Sequence, residues 1–193
     1  MDNQQVTQAE LGWLAGFIDG EGYMGLRIHK YANGSRKLTS GKYPIIRPEF
    51  AICNTDKETI NKVVDVAEKI DVNLYVRETN PAGIKRRVYT AQTKGINKCL
   101  RLLEPIKPHL IGGKRKRAEL MIEFCKLRIS AKSFHNLYGN GGTYKPYSDR
   151  ELEIWEEIQP LMRRGRGTSE TTRRMLRRHA ENLAKIKEKS LTQ

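Results

Sequence analysis

The chain is short of acid, of cysteine and of long apolar runs, and each shortage excludes something. Against 36 lysines and arginines it sets only 22 aspartates and glutamates, a net charge of +14 over 193 residues. A surplus of that size points to an anionic partner, with nucleic acid foremost. An anionic membrane surface fits less well, because no long basic amphipathic helix ends in aromatic anchors. The three cysteines, Cys53, Cys99 and Cys125, are scattered without a CxxC pair. That argues against zinc and against a disulfide framework, and for a reducing compartment. No apolar run reaches the roughly 20 residues that a membrane span needs. The opening MDNQQVTQAE is polar and partly acidic, so it is neither a signal peptide nor an Arg-rich transit peptide. The length suits one domain, with room for a small appendage.

What the chain does have is concentrated in residues 11–22, LGWLAGFIDGEG. Gly12, Gly16 and Gly20 recur every four residues, which lays them along one stripe of a helix. Each interior glycine costs about 1 kcal/mol relative to alanine. A row of three therefore has a reason, and the physical one is close approach by another helix backbone. Leu11, Leu14, Ala15, Phe17 and Ile18 predict a helix buried on nearly all sides. Asp19 and Glu21 then break the apolar run, and Gly22 lets the chain leave the helix. A carboxylate at the end of a buried helix is costly unless it meets a cation or donors. An ordinary core helix with two solvated acids accounts for the same composition. A phosphate-binding glycine loop does not, since neither the Walker nor the dinucleotide spacing is present.

Either side of this stretch the pattern alternates between helix and strand. Thr7 to Glu10 has capping-box form, starting a helix near Gln8. After Gly22, Met24, Leu26 and Ile28 alternate with Tyr23, Gly25, Arg27, His29 and Tyr31, a half-buried strand with a basic, aromatic face. Residues 32–44 are loop. A second strand turns Phe50 and Ile52 inward and Arg47, Glu49 and Ala51 outward, closing a hairpin. Thr55 to Glu58 reads as another capping box, opening a helix whose Ile60, Val63, Val64, Ala67 and Ile70 share a face. Asn73 turns the chain, residues 74–79 form a third strand, 80–83 a turn and 86–93 a fourth strand. A short helix over 94–103 is stopped by Glu104-Pro105 and Pro108. The order helix–strand–strand–helix–strand–strand–helix comes from pattern alone.

Gly112-Gly113 breaks the chain before the run Lys114-Arg115-Lys116-Arg117, which opens a helix carrying Leu120, Met121, Phe124 and Leu127 on one face. Cations there oppose the helix dipole. They either stand in solvent or meet a nearby phosphate. Residues 130–147 read as loop, and Ser148 to Glu151 caps a helix running to about Met162. A basic joint, RRGRG, leads to a last helix over 170–189.

Residues 14–22, LAGFIDGEG, resemble the nonapeptide that names the LAGLIDADG homing endonucleases. Phe17 and Gly20 are common variants, and Glu21 stands where aspartate is usual. The resemblance covers the chain through residue 129. It extends more weakly to the tail, where Thr168-Ser169-Glu170-Thr171 is similar to the single-motif, intron-encoded branch. It implies an α+β fold: an αββαββα core over 1–129 with a saddle-shaped antiparallel sheet. Residues 130–193 would be a C-terminal loop and basic helices that contact the DNA backbone or support the core. The motif occurs once, so each chain would supply half a site, and Gly12, Gly16 and Gly20 would pack on their own copy in a homodimer.

The resemblance also implies the chemistry. Glu21 would hold a divalent metal, Mg2+ or another such as Mn2+, with the Gly20 carbonyl as a further ligand, while Ca2+ would bind without supporting cleavage. Asn54 stands where many relatives carry a water-positioning glutamine. A lysine after the third helix would complete the pocket; Lys114 matches best, and Lys116 is close. Tyr23, Arg27, His29, Tyr31, Arg47, Glu49, Arg77, Thr79, Arg87 and Tyr89 would face the groove of double-stranded DNA, joined by Lys116. The implied function is site-specific double-strand cleavage of a long pseudo-palindromic target in an intronless allele, promoting intron homing. The implied setting is intracellular, in an organelle or a prokaryotic cytoplasm. A non-catalytic binder of the same fold, an RNA maturase or a DNA-binding regulator, is the alternative. Glu21, Asn54 and a nearby lysine favour the enzyme, since a pure binder has no need of a buried acid.

Overall fold

Thr7 caps the first helix, α1 (Gln8–Glu21): its hydroxyl accepts the Glu10 amide at 3.2 Å, and the Glu10 carboxylate accepts the Thr7 amide at 2.8 Å. The sequence reading placed this box and this start correctly. The computed structural model describes residues 5–29, 45–80, 86–131, 134–135, 143–144 and 147–162. From α1 the chain passes straight into β1 (Gly22–His29), then β2 (Ile45–Asn54), α2 (Lys57–Glu68), β3 (Tyr75–Thr79), β4 (Val88–Lys94) and α3 (Ile96–Ile106). A 3-10 turn, Lys107–His109, leads to α4 (Gly112–Ser130), the short strands β5 (Phe134–His135) and β6 (Thr143–Tyr144), and α5 (Asp149–Ile158).

The first four strands form one antiparallel sheet in the order β1-β2-β4-β3. Its inner face carries Met24, Leu26, Phe50, Ile52 and Ala91, all buried against Leu14 and Ile18 of α1, Ile60 of α2, Leu102 of α3 and Met121 of α4. Ile154, Trp155 and Ile158 of α5 join the same core. An antiparallel sheet covered on one face leaves the other to solvent or a partner. This is the α+β order expected from the pattern.

Several local expectations shift. Asp56, not Thr55, caps α2, accepting the amides of Glu58 and Thr59 at 3.1 Å each; a carboxylate caps better than a threonine hydroxyl. Val66 joins the buried face of α2. Asp71, with φ of 56°, turns the chain after α2 rather than Asn73. Gly95, with φ of 101°, makes the β4–α3 joint in a conformation that other residues rarely adopt. Pro105 lies inside α3 instead of stopping it. Its fixed φ is helical, and at the penultimate position it forfeits a single amide bond. Gly112 and Gly113 are the first residues of α4, not a break before it. The stretch 130–147 contains the β5–β6 pair, and α5 ends at Ile158, four residues short of Met162. The expected loop at 32–44, much of the turn at 80–83, and the joint and helix beyond 162 lie outside the described residues.

Candidate nucleic-acid interface and its acidic corner

The last turn of α1 carries two acids and no base. A helix C-terminus is already the negative end of the dipole, so this corner needs cations. Lys114 provides one: from the first turn of α4 its Nζ donates to the Ile18 carbonyl at 2.5 Å and to the Gly22 carbonyl at 2.5 Å. Those carbonyls bracket Glu21. Asp19 accepts the Ile111 amide at 3.1 Å through Oδ2, tying the motif to the start of α4, while its Oδ1 is buried without a hydrogen-bond partner. Gly22 is where the chain leaves the helix, as expected, and it does so in an extended conformation with φ of −76°. A Cβ there would stand 2.8 Å from the Ile18 carbonyl oxygen, and only glycine lets the strand leave so close to the helix.

Glu21 itself is exposed. Asn54 ends β2, two residues past Ile52, which pairs with Gly22 at the end of the motif. Its Oδ1 accepts the Asp56 amide at 2.8 Å. The described residues contain no group of three or more His, Cys, Asp or Glu able to hold a metal ion. At this corner Glu21 offers an exposed carboxylate close in sequence to the Ile18 and Gly22 carbonyls that Lys114 holds. Carboxylate and carbonyl oxygens are the donors that Mg2+ and Ca2+ take.

The basic run at the start of α4 is divided by helical periodicity. Lys114 turns to α1, Arg115 pairs with Glu119 at 3.5 Å, Lys116 is exposed with its charge felt at Glu123, and Arg117 is buried, donating to the Met24 carbonyl at 3.4 Å. Of the two candidate lysines, Lys114 is the one at the acidic corner.

The outer face of the sheet holds Tyr23 and Arg27 of β1, Arg47, Glu49 and Cys53 of β2, and Arg77 and Thr79 of β3, as expected from alternation. β4 is out of phase with the expectation. Ala91 pairs with Ile52 and Thr93 with Phe50, both facing the core, so Tyr89 packs inward too. Arg87 precedes the strand and pairs with Glu78 at 3.1 Å. The outer positions of β4 are Thr90, Gln92 and Lys94, opposite Cys53, Ala51 and Glu49. Sequence reasoning missed these three, and Tyr75, which pairs with Gln92. The only signal was the small apolar Ala91 between two polar residues. Glu49 is outward by phase yet nearly buried, between Arg27 at 3.4 Å and Lys94 at 3.4 Å. His29 ends β1, and its side chain and Tyr31 lie outside the described residues.

α1 is not buried on all sides. Leu11, Leu14, Ala15 and Ile18 are buried, but Gly16 and Gly20 are exposed, and a Cβ on either would meet nothing within 4 Å. Gly12 differs, since its Cβ would lie 3.9 Å from His109 Nδ1 of its own chain.

No protein-family model and no curated protein matches the chain. Solved structures do. The chain is similar to the homing endonuclease I-CvuI in complex with its target in the presence of 2 mM Ca, with a TM-score of 0.60 and 19% identity over 90% of this chain and 96% of that one. The homing endonuclease I-TnaI gives a TM-score of 0.51 and 20% identity over 89% and 96% of the two chains. The LAGLIDADG homing endonuclease I-GzeII, in complex with a DNA target, gives 0.53 and 14%, but 85% of this chain spans only 47% of that one. The nonapeptide ends α1 with Lys114 seated on its carbonyls and leads straight into the four-stranded sheet, and 90% of the length overlays I-CvuI: the chain has the LAGLIDADG homing endonuclease fold.

Proposed function

We propose that the protein is a metal-dependent, site-specific DNA endonuclease that works as a homodimer and cuts a long pseudo-palindromic duplex in the intronless allele of its host gene. The observation that carries this is the corner at the end of α1: an exposed carboxylate, Glu21, with the Lys114 amine seated on the carbonyls either side of it. Magnesium or manganese would be held by Glu21 and the Gly20 carbonyl of each chain; when bound, it places positive charge on the scissile phosphate and lowers the pKa of water. Asn54, its Oδ1 fixed on the Asp56 amide, turns its side-chain NH2 to orient water or a phosphate oxygen. Lys114 lends positive charge beside that phosphate.

Three observations support two chains. The motif occurs once. Gly16 and Gly20 leave a strip of α1 open to a second backbone. And I-GzeII, with the same fold, is about twice as long as the part of it that matches, as 85% of this chain covers 47% of it. Each sheet would lie over about one turn of duplex, roughly 10 bp. Arg27, Arg47, Arg77 and Gln92 would then face the major groove, where Arg and Gln suit guanine and adenine. Such an enzyme would work where its intron is copied, in an organelle or a prokaryotic cytoplasm.

The test uses a plasmid carrying the joined flanks of the gene that encodes the chain. In magnesium the protein should linearise it, and in calcium bind it uncut. Selective binding without cutting in magnesium or manganese would make the protein a non-catalytic nucleic-acid binder. Neither binding nor cutting would overturn the proposal.

A further inference from the structure

One acid stands in the middle of the basic outer face. Glu49 lies on β2, with its side chain 7% exposed, and Arg27 and Lys94 are among the groups that pair with it. Arg27 reaches it from β1 and Lys94 from β4, the strands on either side. A carboxylate hidden under two cations is not placed to touch a ligand. It is placed to hold the cations.

Arg27 is held in other ways too. Its Nε donates to the Tyr23 hydroxyl at 3.0 Å, and its guanidinium carbon lies 4.9 Å from the Tyr23 ring centre. Tyr23 and Arg27 are four residues apart on one strand and meet only because Gly25 lies between them without a side chain. A Cβ on Gly25 would stand 3.1 Å from the Tyr23 hydroxyl and 2.3 Å from Met162 Sδ, to which that hydroxyl donates at 3.6 Å. The Nε edge of Arg27 is therefore tied, while its two terminal nitrogens have no partner among the described residues. A guanidinium held at Nε presents those nitrogens as a fixed pair of parallel donors.

Resting on the DNA-binding function above, we propose that Glu49 is a positioning residue: with Tyr23 it fixes the Arg27 fork to read one guanine in the major groove, and it restrains Lys94 from unselective phosphate contact. The expected Glu49–DNA contact is replaced by action through Arg27. Two guanine acceptors, N7 and O6, match two fixed donors, whereas a swinging arginine would pair as readily with a phosphate. The substitution Glu49→Gln also has a distinctive sign. It removes one negative charge from the DNA face, so unselective binding should strengthen while selectivity falls. A role confined to stability would lower both together.

The experiment is selection from a randomised duplex pool in calcium. The wild-type protein, Arg27→Ala, Glu49→Gln, Tyr23→Phe and Arg27→Ala/Glu49→Gln are compared, with thermal melting of each. The wild type should enrich a guanine at one position in each half-site, and Arg27→Ala should lose it. Glu49→Gln should weaken the same preference by roughly tenfold, the order of one good base contact. The double variant should lose no more than Arg27→Ala. Tyr23→Phe, which leaves the buried charge alone, should weaken the same position. The inference is overturned if Glu49→Gln and Tyr23→Phe keep the wild-type preference, or if selectivity falls evenly at every position. If the wild type selects no sequence, the proposed function fails, and this inference fails with it.

Discussion

The amine of Lys114, on the first turn of α4, lies 2.5 Å from the carbonyl of Gly22, at the exit of α1. A residue far along the chain thus closes the corner that the nonapeptide opens. The contact places a cation on a helix end rich in carbonyls and acids, and under the proposed function the same charge would lie beside the scissile phosphate.

Lys114→Met should therefore cost stability as well as cleavage. Hydrogen bonds from a charged donor are worth about 1.5–3 kcal/mol each, less when partly solvated. A loss of about 2 kcal/mol corresponds to a fall in Tm of roughly 4–8 °C for a chain of this size. Lys116→Met, on an exposed position, should stay within about 0.5 kcal/mol of the parent. Calorimetry of both variants, beside single-turnover cleavage, separates the lysines. Equal melting of Lys114→Met and the parent would remove the structural half of the claim.

The order of elements, the capping boxes at Thr7 and Ser148 and the inner faces of α2 and α4 were legible from the sequence, because apolar contrast there is strong. β4 was not. Tyr89, Thr90, Ala91, Gln92 and Thr93 differ little in polarity, and a strand shifted by one residue turns every side chain to the other face. Pairing with β2 decides the matter, and pairing is not local. The burial of Glu49 was equally invisible, since Arg27 and Lys94 reach it from other strands. The seat of Lys114 could be guessed only from the motif, and the roles of Gly16 and Gly22 came apart only when their surroundings were seen: one faces open space and the other a carbonyl.

Gly16 gives a clean test of assembly. A side chain there meets nothing in its own chain, and alanine gains about 1 kcal/mol over glycine in a helix interior. Gly16→Leu should fold normally by circular dichroism. If two copies of α1 pack together, light scattering should show the dimer lost or weakened by about 1–3 kcal/mol through overpacking. A dimer of parental stability would place the interface elsewhere.

The cysteines report on the same geometry. Burial first, then the nearby Glu104, pushes the Cys125 thiol up to about 12, and burial likewise raises Cys99. Cys53 is exposed on the outer face, with its Sγ 3.2 Å from Thr90 Oγ1. A thiol reagent near neutral pH should modify one cysteine in the native chain and three after denaturation. Bound target DNA should slow the native reaction several-fold. Unchanged labelling would mean that the outer face is not the one that meets DNA.

Acid should unfold the protein through groups held as carboxylates. The hydrogen bond from Lys69, then the Thr7 amide, lowers Glu10 to about 2. Arg150 lowers Glu123, and Thr59 lowers Asp56. A depressed carboxylate adds stability that is full above its unfolded value and drains away as pH falls through the folded one. For Glu10 that window runs from the ordinary 4.5 down to about 2. Tm should fall across it, and Glu10→Gln should flatten part of the fall. No change in the profile of that variant would show the Glu10–Lys69 pair to be idle.

Glu21→Gln is the sharpest variant for mechanism. It keeps the side chain's shape and volume while removing its charge, and the position is exposed, so the fold should melt as the parent does. Two effects on DNA then oppose each other. In a dimer joined along α1, two glutamates would stand near the axis and beside the scissile phosphates, where like charges repel each other and the phosphate alike. Neutralising both should leave metal-free binding intact or tighten it. Cleavage should behave otherwise, because glutamine offers a divalent ion a neutral carbonyl in place of a charged carboxylate. Loss by orders of magnitude is expected, in manganese as in magnesium. Gel shifts in calcium and in chelator, set beside single-turnover cleavage in magnesium, read the two effects apart. Cutting at the parental rate would show that Glu21 holds no metal, whatever the fold around it.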